Sequence, residues 1–225
     1  MQQPDVFRKL TLAAFIATLA LVVITGTAWG VRLYMASHTQ SIPQPSDYAV
    51  SGFPMNGAPA PDFSLVDQFG KPVTLSSFRG QEVVLAFIDS QCKSLCPLTA
   101  NIMYNAKARL GTAANHVALI AVNANPAATS IAEVQSWSIA HGMLHQWLFL
   151  TGSPGQLQSI YRQYKIYAQV DANGNDVHDP AVFIIDASGR ERLYFETLDS
   201  NSQADLKSEI DGMEAGMRQW LPQTK

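Results

Sequence analysis

The chain has 225 residues, of which 47% are hydrophobic and only 15% charged, against roughly 25% charged in an ordinary soluble domain. That length suits one well-cored domain with appendages and is short for two full domains. A net charge of −3 removes the basic footprint of a nucleic-acid-binding protein. With only Cys92 and Cys96, a multi-bridge disulfide scaffold and a zinc-finger array are both excluded.

The missing charge is concentrated at the start. Residues 10–31 (LTLAAFIATLALVVITGTAWGV) carry none, and at ~1.5 Å per residue they match a hydrocarbon core of ~30 Å. Arg8 and Lys9 precede them and only Arg32 follows closely, so the positive-inside rule leaves residues 1–9 in the cytoplasm. Trp29 and Tyr34 suit an interfacial anchor. A cleaved signal peptide would have a shorter apolar region ending in a clean small-residue site. The expectation is a single-pass anchor in the cell membrane with the rest of the chain on the extracytoplasmic side. Residues 32–58, rich in Ser, Pro, Gly and Gln, read as a flexible linker that includes His38 as a solvated residue. The folded domain is expected over 59–225.

Within that domain, short apolar runs alternate with helix-period segments, the signature of an α/β fold. Residues 62–75 read as two short strands around Gly70, and 83–88 (VVLAFI) as a strand buried on both faces. The spacing of Leu98, Ile102, Ala106 and Leu110 predicts a helix ended by Gly111. Residues 116–122 form the next central strand. A helix follows over 130–140, with Ser130 and Glu133 as a capping box and Gly142 as terminator. Residues 147–150 are a short strand and 155–164 a third helix. Residues 181–186 and 191–195 flank Ser188 and Gly189 as a hairpin. The closing helix, 203–221, carries Leu206, Ile210, Met213, Met217 and Trp220 as a core-facing stripe, which assigns both methionines to packing. This order suits a thioredoxin-like sandwich, a central mixed sheet with helices on both faces.

The chemistry lies in Cys92-Lys93-Ser94-Leu95-Cys96-Pro97, directly after a buried strand and before a helix. Unpaired amides and the positive end of the helix dipole favour thiolates there, as nucleophiles and as metal ligands. Pro97 suits the first helical position. A spacing of four places the sulfurs about one turn apart, close enough for a disulfide or for one soft metal ion. A purely structural bridge over three intervening residues would remove little chain entropy. In an exported domain the two cysteines are each other's only intramolecular partner.

Two thiolates leave copper or zinc under-coordinated, so a third ligand is needed. Among the five histidines, His178 stands out, in the turn-like stretch Asp176-Val177-His178-Asp179-Pro180 before the buried run at 181–185. In a thioredoxin-like sheet that loop faces the cysteine turn. His116, His141 and His145 read as surface or capping residues. Two cysteines and one neutral histidine form a soft set suited to copper(I), with copper(II) tolerable through the imidazole. Zinc would want a fourth ligand or an open catalytic position.

At these residues the chain resembles the Sco/SenC proteins, membrane-anchored thioredoxin-like copper proteins associated with cytochrome oxidase assembly. The resemblance spans roughly Pro59 to Leu221 and the anchor. It rests on Ala60-Pro61-Asp62-Phe63 with Leu65 and Gly70, on Cys-x-x-x-Cys-Pro at Cys92–Pro97, and on His178 eight residues before Asp186, with Gly189 closing the hairpin. It implies that Cys92, Cys96 and His178 bind copper. It also implies that the protein delivers copper to the binuclear centre of cytochrome c oxidase subunit II, or reduces that centre's cysteines, with a thiol reductant protein as second partner. Where many members carry an acidic Asp-Pro-x-x-Asp, this chain has Asn123-Ala124-Asn125-Pro126, and Lys93 and Ser94 replace the usual acidic residue between the cysteines. A less negative surface around the site is therefore expected.

An extracytoplasmic thiol-disulfide oxidoreductase using Cys92 and Cys96 is the alternative, since it needs no third ligand. A peroxiredoxin-like peroxidase would require Thr three residues before the reactive cysteine, where Asp89 stands.

Overall fold

The structure is a computed structural model of the chain and describes residues 52–170, 176–178, 181–198 and 202–222, with scattered helical positions between Phe15 and Arg32. Two compact units are present, Met1–Pro43 and Gln44–Lys225. In the first, the hydroxyls of Thr18 and Thr27 donate to the carbonyls of Phe15 and Val23 at 2.9 Å, as in a helix. Among the described residues no helix is long and apolar enough to cross a membrane. Most of residues 10–31, the expected anchor, lie outside the described residues, as does most of the expected linker.

In the second unit the chain runs through strands β1 (Phe53–Pro54), β2 (Ser64–Val66), β3 (Pro72–Thr74) and β4 (Glu82–Ile88), then helix α1 (Leu95–Ala108) and strand β5 (Val117–Asn123). It continues through α2 (Ile131–Ala140), β6 (Leu148–Leu150), α3 (Pro154–Tyr164), β7 (Ala168–Val170) and β8 (Asp176–His178), and ends with β9 (Ala181–Ile185), β10 (Glu191–Glu196) and α4 (Gln203–Trp220). Six strands form the main sheet in the order β1, β10, β9, β4, β5, β6. β4, β5 and β6 are parallel and the remaining pairs antiparallel. This is the expected mixed sheet.

The apolar run at 83–88 becomes β4, buried at all seven positions and paired along its whole length with β5. Because side chains alternate across a strand, Val84, Ala86 and Ile88 join one core with Ile102 and Met103 of α1, Val134 and Trp137 of α2, and Ile210, Met213 and Met217 of α4. Val83, Leu85 and Phe87 join the opposite core with Leu157, Ile160, Tyr161 and Tyr164 of α3. Both methionines of the closing stripe are thus core residues. The capping box at Ser130 and Glu133 forms as predicted, and α3 has a second one at Ser153 and Gln156.

Four boundaries differ from the pattern. Helix α1 starts at Leu95, not at Leu98, because its first turn carries the cysteine motif and lacks the apolar spacing that betrays the rest. Residues 111–116 coil into a 3-10 turn, so β5 begins at Val117. β1 falls within the stretch expected to be linker, where it pairs Phe53 with Tyr194 and Pro54 with Leu193. Two paired residues leave no period to read. Residues 176–178, expected to be turn-like, form β8 against β7.

The outer edge of β6 is closed by a side chain. Gln68, fully buried, donates its amide to the carbonyls of Leu144 and Trp147 at 3.0 Å, and accepts from the Phe149 amide at 2.8 Å. One carboxamide thereby acts as the missing neighbouring strand, which a buried edge requires. Replacing Gln68 by Leu strands these backbone groups. The expected loss is about 2–4 kcal/mol in urea unfolding, and an unchanged midpoint would contradict the assignment.

At the other end of β4, Glu82 is fully buried and neither carboxyl oxygen has a hydrogen-bond partner among the described residues. Burial, with a smaller push from the Asp186 charge, raises its pKa to about 8. Asp186 itself is lowered, burial being outweighed by bonds from Ser188, Arg190 and Arg192, so its pH window lies at the acidic end. For Glu82 the folded state holds a proton that the unfolded chain has released, so stability falls as pH rises from about 4.5 towards about 8. The expected slope in that window is about 1.4 kcal/mol per pH unit. Glu82→Gln should flatten it in chemical denaturation at several pH values; a wild-type slope retained in that variant would refute the account.

Candidate functional site

Beyond Ile88 the chain leaves the sheet and turns sharply. Asp89, 4% exposed, accepts the Gln91 amide on its carboxylate at 2.8 Å and the Cys92 amide on its backbone carbonyl at 3.2 Å. This turn sets Cys92 just before helix α1.

The first amides of a helix need acceptors. Here Ser94 holds the N-cap position but its hydroxyl makes no capping bond, and the first turn has no acid. Pro97 stands third in the helix, not first as expected, and lacks an N–H, so it leaves no amide to satisfy. The Cys96 amide donates to Cys92 Sγ at 3.4 Å. A sulfur thus does the work that an N-cap oxygen does elsewhere. Such a bond strengthens when the acceptor carries charge.

The two thiols are unlike each other: Cys92 is half-buried and Cys96 buried. The Cys96 thiol is pushed far above the ordinary range, first by its hydrogen bond to Cys92, then by burial and by the neighbouring charge of Cys92. The backbone at Asp89 opposes this weakly and the Asp89 charge adds to it. Cys92 is therefore the sulfur available to an incoming partner, while Cys96 is the inner thiol that keeps its proton and can close a disulfide or complete a metal site.

The backbone of His178 lies opposite Ala168 in the β7–β8 hairpin. Its side chain lies outside the described residues. The hairpin leads into β9, and β9 runs antiparallel to β4 with Val182 opposite Ala86. Topology thus brings the approach to β9 to the sheet end from which the cysteine turn emerges. Among the described residues no group of three His, Cys, Asp or Glu is placed to hold a metal ion.

The other described histidines match the reading as surface or capping residues. His141 ends α2, its ring stacked on Trp137 at 3.9 Å and its Nδ1 donating to the Trp137 carbonyl. His145 stacks on Phe69. His116 precedes β5, at the end of the sheet away from the cysteines. His38 lies outside the described residues.

The expectation for Asn123 and Asn125 needs correction. They do not dilute the charge of a partner-facing surface, because they are 0% and 2% exposed. Asn125 donates to the Asp89 carboxylate at 2.9 Å, and Asn123 accepts the Asn125 amide and donates to the Ala128 carbonyl. Lys93 and Ser94 are exposed as expected. The polar support under the cysteine turn escaped the sequence reading, although Asp89 and Asn123 each follow an unbroken apolar strand. A polar residue at the end of a buried strand is the signal that could have found it.

A family model described as SCO1/SenC matches residues 55–212. No curated protein matches the chain. Among solved structures, copper-bound ScoI of Bradyrhizobium japonicum is 22% identical with a TM-score of 0.60, covering 73% of this chain and 100% of that one. Copper-bound yeast Sco1 is 19% identical with a TM-score of 0.56, covering 72% and 90%. BsSco, a member of the Sco family of cytochrome c oxidase assembly proteins in which a disulfide switch was identified, is 18% identical with a TM-score of 0.55, covering 72% and 97%. At these identities the likeness establishes a common fold.

The unequal thiols give a direct test. Limited treatment of the reduced chain with iodoacetamide should modify Cys92 at least about tenfold faster than Cys96, as read by peptide mass spectrometry. Equal rates would contradict the inner and outer assignment.

Proposed function

The chain belongs to the SCO1/SenC family, and from that premise we propose that it is a membrane-anchored copper-binding protein serving as copper chaperone and assembly factor for the binuclear centre of cytochrome c oxidase. The observation that carries this reading is the sulfur pair at the start of α1, with Cys92 half-buried, Cys96 buried and the Cys96 amide directed at Cys92 Sγ. Copper-bound ScoI and Sco1 share the fold, and two thiols with an imidazole from His178 form a donor set of the softness copper(I) prefers. Residues 10–31 would hold the domain at the extracytoplasmic face of the cell membrane.

Copper is cargo in this scheme. A thiol reductant protein gives two electrons and two protons to a Cys92–Cys96 disulfide, becoming a disulfide itself. The two thiols then release their protons as they take up copper(I), and His178 completes the set. Oxidase subunit II, or another copper protein, receives the ion by ligand exchange. Cys92, the more accessible sulfur, is the one positioned to hand over first.

The alternative, an extracytoplasmic thiol-disulfide oxidoreductase, is favoured by one feature: a half-buried attacking sulfur backed by a fully buried resolving one. In that reaction Cys92 attacks a substrate disulfide to form a mixed disulfide, and Cys96 displaces the substrate thiol. His178 has no part in it.

Copper titration of the reduced full-length chain separates the two. About one copper(I) per chain is expected, lost in Cys92→Ser with Cys96→Ser. His178→Ala should weaken copper(II) binding while leaving the disulfide chemistry intact. Copper affinity fully kept in the double cysteine variant would sink the copper assignment, and a wild-type chain that exchanges disulfides without binding copper would establish the oxidoreductase.

A further inference from the structure

The geometry points to Asn125 as the positioning residue of the cysteine turn, acting through Asp89; this rests on the Cys92–Cys96 pair being the working part of the proposed function, with or without copper.

Asn125 is used at both ends. Its Oδ1 accepts the amides of Ala127 and Ala128 at 2.9 and 3.1 Å, which shapes the loop after β5. Its Nδ2 donates at 2.9 Å to Asp89 Oδ1, the same oxygen that accepts the Gln91 amide. The loop behind it is held from several directions. Asn123 Oδ1 accepts the Asn125 amide at 3.0 Å, and Asn123 Nδ2 reaches the Ala128 carbonyl at 2.6 Å. Tyr161 of α3 donates to the Asn123 carbonyl at 2.6 Å. Thr151, just past β6, donates to the Thr129 carbonyl. The Ala124 amide donates to the Ile88 carbonyl at 2.8 Å, so the two loops leave the sheet side by side.

A frame fixed to two strands and a helix therefore ends in one carboxamide N–H, and that N–H grips the acid around which the cysteine turn is folded. The backbone carbonyl of the same acid receives the Cys92 amide. Position passes from Asn125 to Asp89 to Cys92, and so to the sulfur that accepts the Cys96 amide. Position 125 needs a donor and an acceptor together. An aspartate there could still cap Ala127 and Ala128, but it would face Asp89 with a second carboxylate and no proton to donate.

The test is the thiol-disulfide equilibrium of the full-length chain against glutathione. If Asn125 holds the sulfurs at their working separation, Asn125→Ala should lower their effective concentration and shift the equilibrium about tenfold towards the dithiol, ~30 mV for a two-electron couple. Asn125→Asp, which keeps the loop caps, should shift it by at least as much. The exchanged pair Asp89→Asn with Asn125→Asp removes the facing carboxylates and restores a bond of reversed direction, but the donating amide can no longer accept from Gln91, so it should return part of the way from Asn125→Asp towards wild type. The inference is overturned if both single variants stay within about twofold of wild type, or if the exchanged pair is no nearer wild type than Asn125→Asp alone. Should Asn125→Ala fail to fold, Asn125→Asp and the exchanged pair decide the matter between them. Copper titrated into the same samples keeps the two readings apart. Rescue by the exchange in a chain that binds no copper upholds the role of Asn125 and sinks copper delivery; absent rescue with copper intact does the reverse.

Discussion

A strand covered on both faces and paired on both sides governs this molecule. β4 has every position buried, β5 along one side and β9 along the other. Polar chemistry has no room within it, so it gathers where the strand stops. At one end is Glu82, an acid held in the interior with no hydrogen-bond partner among the described residues. At the other the backbone comes free at Asp89 and must turn at once into α1. Both cysteines belong to that emergence, and the cores above and below the sheet fix where it occurs.

The junction between strand and helix explains why the two sulfurs differ. A helix start normally finds its acceptor in a serine, threonine or aspartate side chain. Ser94 does not serve here, and the Cys92 sulfur does. A group that caps a helix is drawn towards it, while Cys96, inside the first turn, is carried into the core beside Ala100 and Met103. The asymmetry therefore arises from ordinary helix chemistry, before any metal or substrate is considered. Below the turn, a buried amide and a buried carboxylate tie two loops together. Interior polar groups thus serve to aim one half-buried thiol.

Much of this was legible in the sequence because it rests on period and punctuation. The run at 83–88, the capping box at Ser130 and Glu133, the Gly70 and Gly189 turns and the methionine stripe of α4 are local signals, and each took the form its pattern implies. Cys92 and Cys96 were legible for the same reason, as a spacing at a strand-to-helix junction. What could not be read depends on contacts between distant residues. The β1 pairing is two residues long and exists only because β10 has a free side. Gln68 reads as a turn residue, yet it closes an edge about eighty positions further along the chain, at Phe149. Asn125 read as a change of surface charge and proved to be buried, since nothing local reveals that Asp89 lies against it.

The carboxamide that closes β6 also limits how the protein can meet others. Open sheet margins invite another chain to lie alongside and extend the ladder, which is how many partners are gripped and how aggregates grow. On the β6 side Gln68 occupies that margin, and the Val66–Thr151 bridge continues the cover. On the opposite side, among the described residues, the edge strand is Phe53 and Pro54, and a proline cannot donate to a neighbouring strand. Strand addition to the main sheet is closed off on one flank and curtailed on the other. For the main sheet, that leaves its ends as the open margins, and one of them carries the loops and the outer sulfur.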